Sequence, residues 1–141
     1  MDIRTQNEEY SNIAGELINS EPALEYIRDS EVTIVYLSSE HEKKKNGKIV
    51  FGECEKIQDK YKWAIPADFT ITLYEPNIED FTPEQIKILL FHELLHVGIR
   101  VSDSGYDDFY VKPHDIEEFK LIADRFGIGW ADDDNDFEIG M

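Results

Sequence analysis

Apolar residues first recur at helical spacing. Tyr10, Ile13, Leu17 and Ile18, then Leu24, Tyr26 and Ile27 beyond Pro22, predict one broken helix or two short ones over 8–28. The period then shortens. Residues 31–37, E-V-T-I-V-Y-L, are rich in β-branched side chains and predict a strand. Asn46-Gly47 marks a turn into a second strand at 48–52, expected to pair antiparallel with the first. Residues 61–65 suggest another short strand stopped by Pro66, and residues 68–75 alternate, with Phe69, Ile71 and Leu73 on one face. Thr70, Thr72 and Tyr74 would then form strand surface, and this strand is expected to offer a free edge to an extended peptide.

Residues 82–100 break the alternation. Thr82 and Gln85 have capping-box spacing, Pro83 falls at the first helical position, and Phe81 and Ile86 are placed as a hydrophobic staple. Ile86, Leu89, Leu90, Phe91, Leu94, Leu95 and Val97 leave little polar circumference, so this helix must be buried, ending near Gly98. Ser102-Asp103-Ser104-Gly105 is turn chemistry leading through an acidic, tyrosine-bearing loop. A second helix starts at Pro113, or at Asp115 with Glu118 in capping-box spacing, and runs through Ile116, Phe119, Ile122, Ala123 and Phe126 to Gly127. The acid-rich segment 131–141 predicts a mobile tail; it lacks the ligand spacing of a calcium loop.

At 141 residues the chain is long enough to bury one core, and we expect a single domain over 1–130. The net charge of −17 argues against a nucleic-acid groove, and the one basic cluster, Lys43, Lys44, Lys45 and Lys48, reads as a solvated loop. One cysteine, Cys54, excludes an internal disulfide and reads as a small buried strand residue. No apolar run approaches the ~20 residues of a membrane span, so no membrane partner and a cytoplasmic location are expected.

The buried helix carries His92-Glu93-x-x-His96. Residues four apart share a helix face, so both imidazoles can hold one zinc ion while Glu93 stands beside it as general base. Burying these groups would be costly without such a partner. A catalytic zinc takes three protein ligands, so one more must come from elsewhere. Ile99 and Ser102 occupy the positions where a metzincin would have Gly and His, which excludes that class. His114 is the remaining candidate histidine, with Asp115, Glu117 and Glu118 competing; His41 lies in a charged loop and reads as surface. Tyr106, Tyr110 and Arg100 are chemically able to stabilise an oxyanion, although packing or surface roles suit each of them.

H-E-L-L-H-V-G-I-R, preceded by G-E-C-E-K and D-F-T-I-T-L-Y and followed by V-K-P-H-D-I-E-E-F-K, resembles the phage metallopeptidase family and, more distantly, SprT-like minimal zincins. The aromatic Phe119 stands one residue later than the SprT-like pattern has it. The resemblance implies an α+β zincin-like domain, with a three- to four-stranded, antiparallel-rich sheet packed on the motif helix and a C-terminal helix. It implies His92, His96 and His114 as zinc ligands, Glu93 as base, and a zinc metallopeptidase acting on a peptide or protein, in a host cytoplasm if phage-encoded. Two rival functions are a non-catalytic zinc-binding module using the same histidines and an acidic DNA mimic that binds a basic protein.

Overall fold

In the computed structural model, which describes residues 3–101, 107–114, 122, 125 and 126, helices pack on one face of a mixed sheet. The class is the α+β expected. Asn7 caps the first helix, α1 (Glu8–Ser20), by accepting from the Tyr10 amide. Pro22 then opens a 3-10 turn that leads into α2 (Glu25–Arg28), so the first helical segment is broken where its proline stands.

Strands β1 (Arg4–Gln6), β2 (Ile34–Ser39), β5 (Gly52–Lys56) and β6 (Phe69–Tyr74) form a sheet in the order β1-β2-β6-β5. Two of the three pairings are antiparallel and β2 with β6 is parallel, Tyr36 facing Ile71. The antiparallel partnership expected between 31–37 and 48–52 does not form. Lys44–Lys45 (β3) and Lys48–Ile49 (β4) instead make a small separate hairpin about Asn46 (φ 54) and Gly47 (φ 77). Positive φ at both central residues suits a two-residue hairpin turn, which is why Asn-Gly stands there.

Every residue of β6 is buried. Phe69, Ile71 and Leu73 meet the helices, and on the other face Thr72 and Tyr74 are 0% exposed. Arg4 covers that face, donating to Thr72 Oγ1 at 3.1 Å and to the Tyr74 hydroxyl at 3.3 Å. The free edge expected on this strand does not exist either, because β2 and β5 pair with its two sides, and the edge strands are β1 and β5. Residues 61–65 are not a strand: a 3-10 turn spans Asp59–Tyr61, and Trp63 is exposed.

After the short α3 (Glu75–Ile78), the helix α4 (Pro83–Leu95) begins with the complete capping box of Thr82 and Gln85 and buries Ile88, Leu89, Leu90, Phe91, Leu94 and Leu95. It stops before Gly98. His96 is its C-cap, and the alternating Val97, Ile99 and Val101 form β7 (Val97–Val101), paired antiparallel with β8 (Asp107–Val111) where a loop was expected. Ile122 is buried in the core and, with Arg125 and Phe126, helical. The start of the predicted second helix and the acidic tail lie outside the described residues.

Candidate metal centre

The end of α4 carries His92 and Glu93 in its last turn and His96 as its C-cap, so both imidazoles project on one side. The β7–β8 hairpin brings the chain back to them. Val97 pairs with Val111, which sets residues 112–114 beside His96. Lys112 N donates to His96 O at 2.6 Å, and His96 Nδ1 donates to Lys112 O at 2.6 Å. Since a carbonyl only accepts, the His96 proton is held on Nδ1 and its Nε2 lone pair is left facing the other imidazoles.

His92 Nε2 lies 3.3 Å from His96 Nε2 and 3.0 Å from His114 Nε2, and the three ligand atoms are all within 4.8 Å of one another. A tetrahedral ion with metal–nitrogen bonds of about 2.0–2.1 Å sets neighbouring ligand nitrogens about 3.3 Å apart. The two pairs that include His92 match that spacing to within a few tenths of an ångström, and the third pair lies within 4.8 Å. His92 and His96 are half-buried and His114 is exposed, so the cluster is open on the His114 side. Asp115, Glu117 and Glu118 lie outside the described residues; His41 is exposed in its loop.

Glu93 is buried, 4% exposed, with Oε2 3.9 Å from His92 Nε2. Gly52, on the edge strand β5, lies against it, and the contact too close for a side chain there is with Leu73. A Cβ there would stand 2.8 Å from Leu73 Cδ2, 3.2 Å from Thr72 O and 3.4 Å from Glu93 Oε2. Together Lys45, Gly52, Glu53, Cys54, His92, Glu93, His96, Val111 and His114 line a cleft of about 250 Å³. A larger hollow of about 430 Å³, lined by Gln6, Asn7, Glu8 and Tyr36 among others, brings no comparable donor set together.

The electrostatics of β5 differ on its two faces. Burial and the carboxylates of Glu93 and Glu55 push the Cys54 thiol well above its ordinary value, so it stands in the cleft as a neutral group. Burial of Glu53 works to raise its pKa, but hydrogen bonds from Lys43 and Tyr74, with the charges of Lys43 and Arg4, outweigh it and hold the carboxyl below its ordinary value. The Tyr74 hydroxyl donates to Glu53 at 2.6 Å.

Tyr110 and Arg100 belong to the β7–β8 hairpin. The Arg100 guanidinium lies 4.5 Å from the centre of the Tyr110 ring, which packs so tightly on Gly98 that a Cβ there would come within 2.6 Å of it. Both therefore have a packing role, and Tyr106 is outside the described residues. Reading the sequence missed the parts played by Gly52, Lys45 and the Lys112 carbonyl. Only the glycine left a local signal, standing at the start of a strand where close backbone approach is a common reason for it.

The family described as "Putative phage metallopeptidase" matches residues 4–137. No curated protein and no solved structure matches the chain.

Proposed function

Since the chain belongs to the phage metallopeptidase family, and its α+β architecture is that of a small zincin-like domain, we propose that it is a zinc-dependent peptidase acting at this cleft. His92, His96 and His114 would hold the ion, and Glu93 is the general base. The convergence of three imidazole nitrogens within 4.8 Å of one another carries the reading. Zinc, when bound, supplies Lewis acidity, polarising a carbonyl and lowering the pKa of water to about 7.

The chain's own residues do the rest. Glu93, beside the histidines, accepts a proton from the attacking water on its carboxylate and returns it to the departing amine. Its burial keeps that proton from bulk solvent. His96 is held in register by Lys112, which orients its Nε2. The edge of β5 is unpaired on its cleft side among the described residues, so its N–H and C=O groups can hold an extended peptide by strand addition. We place the reaction in a cytoplasm; no helix of the described residues is long and apolar enough to cross a membrane.

The test combines metal analysis with digestion of an unfolded protein by wild type and Glu93→Gln. Stoichiometric zinc in both, with hydrolysis reduced at least about 100-fold in the variant, is the expected result. Zinc retained in full by a His92→Ala/His96→Ala protein, or undiminished hydrolysis by Glu93→Gln, would overturn it. Zinc binding with no turnover by wild type would leave the closed, non-catalytic module as the reading.

A further inference from the structure

The β3–β4 hairpin carries Lys43, Lys44, Lys45 and Lys48 in a chain of net charge −17. Lys43 is committed: it bonds Glu53 and lies 5.6 Å from the centre of the Tyr74 ring, which fastens the hairpin's root to β5. The other three are exposed and form no ion pair among the described residues.

Register sets Lys45 directly opposite Lys48, and Lys44 opposite Ile49. Directly opposed residues share a face of a hairpin, and Lys45 lines the histidine cleft, so Lys48 stands on the cleft side as well. Two like charges face to face destabilise a strand pair unless an anion lies between them. The chain has 31 acidic residues, and of the described ones Glu53 and Glu93 share the cleft with Lys45, but none lies within ion-pair distance of either lysine. Polyphosphate is the weaker candidate, since a charge on every unit meets the repulsion of the whole chain along its length, whereas a peptide can offer a few carboxylates to two lysines and hold β5 with its backbone.

We propose that Lys45 and Lys48 read acidic side chains of the substrate, and that they do so on the C-terminal side of the scissile bond. The orientation follows from where the hairpin stands, taken with antiparallel addition, the commoner way for strands to pair. The hairpin precedes β5 through Val50 and Phe51, so it stands at the N-terminal end of that edge strand. A peptide added antiparallel to β5 runs its C-terminal half towards the hairpin, past Gly52. The substrate is then an acidic polypeptide segment, captured by a local cationic rim on an otherwise repelling surface.

The position of the acids rests on the peptidase reading, whereas recognition of the charge can be measured without turnover. A fluorescein-labelled glutamate-rich peptide and its glutamine counterpart are titrated, by anisotropy at low salt, into zinc-loaded Glu93→Gln protein. Two exposed ion pairs predict about tenfold tighter binding of the acidic peptide, a preference that shrinks with added salt. It disappears in Lys45→Gln/Lys48→Gln and inverts towards a lysine-rich peptide in Lys45→Glu/Lys48→Glu. Equal binding of the two peptides, or a preference unmoved in the double variants, overturns the proposal. A single-stranded oligonucleotide bound as tightly as the acidic peptide overturns it too. In the wild-type digest, Asp and Glu are expected to be enriched just after the cleaved bonds; enrichment before them refutes the orientation. Absence of any cleavage would refute the peptidase reading and leave the binding result to decide the charge.

Discussion

Replacing Gly98 by alanine tests whether the β7–β8 hairpin sets the geometry of the histidine cluster. The added Cβ would lie 2.6 to 2.7 Å from three carbons of the Tyr110 ring, where ordinary contact begins at 3.4 Å. The ring or its strand must therefore shift by most of an ångström. Overpacking of this kind costs about 1–3 kcal/mol, and some of the Arg100 stacking, worth about 0.5–1 kcal/mol at an exposed site, is lost with it. Tyr110 stands two residues before Lys112, whose carbonyl holds His96 and whose chain continues to His114. Disturbing such an outer partner weakens metal binding by about 10–100-fold. Urea denaturation gives the first quantity and zinc competition against a chromophoric chelator the second. A Tyr110→Leu background removes the clash, so Gly98→Ala should cost much less there than in wild type. The reasoning fails if Gly98→Ala leaves both the unfolding midpoint and the zinc affinity unchanged, or if its cost is the same in both backgrounds.

Other consequences follow from the same contacts. Thr82→Ala removes one half of the capping box and should lower stability by about 0.5–2 kcal/mol, read by urea denaturation, with zinc affinity unaffected. His114→Ala should weaken zinc binding by about 100-fold or more while far-UV circular dichroism stays native, and chelation should lower the melting temperature of wild type more than that of the variant. Glu53 has a folded pKa below its unfolded value, so its contribution is fully present above the unfolded pKa and is lost as pH falls through the folded one. Glu53→Gln should therefore lie below wild type in stability at pH 7, and the gap should close on acidification; denaturation at neutral and acidic pH measures it.

The sequence by itself determined what rests on neighbours in the chain. The helix from Thr82, its capping box, the spacing of His92 and His96 and the turn at Asn46-Gly47 are all local, each fixed by a few dihedrals and side chains within reach of one another. His114 could be nominated as a donor by its chemistry, with acidic neighbours still competing; its place 3.0 Å from His92 depended on how β7 and β8 pair. The helix ends earlier than its apolar pattern suggests because Val97 and Ile99 continue an apolar run that suits either period, and only pairing with β8 draws them into a strand. Which strand is central was equally a tertiary decision. The alternation of residues 68–75 is that of a half-buried strand, yet Arg4, from near the N-terminus, covers its second face, and pairing with β2 on one side and β5 on the other makes it central and leaves β5 at an edge. A strand's own sequence does not name its partners, so the identity of the free edge beside the histidines, and of the lysines at its mouth, came from the fold alone.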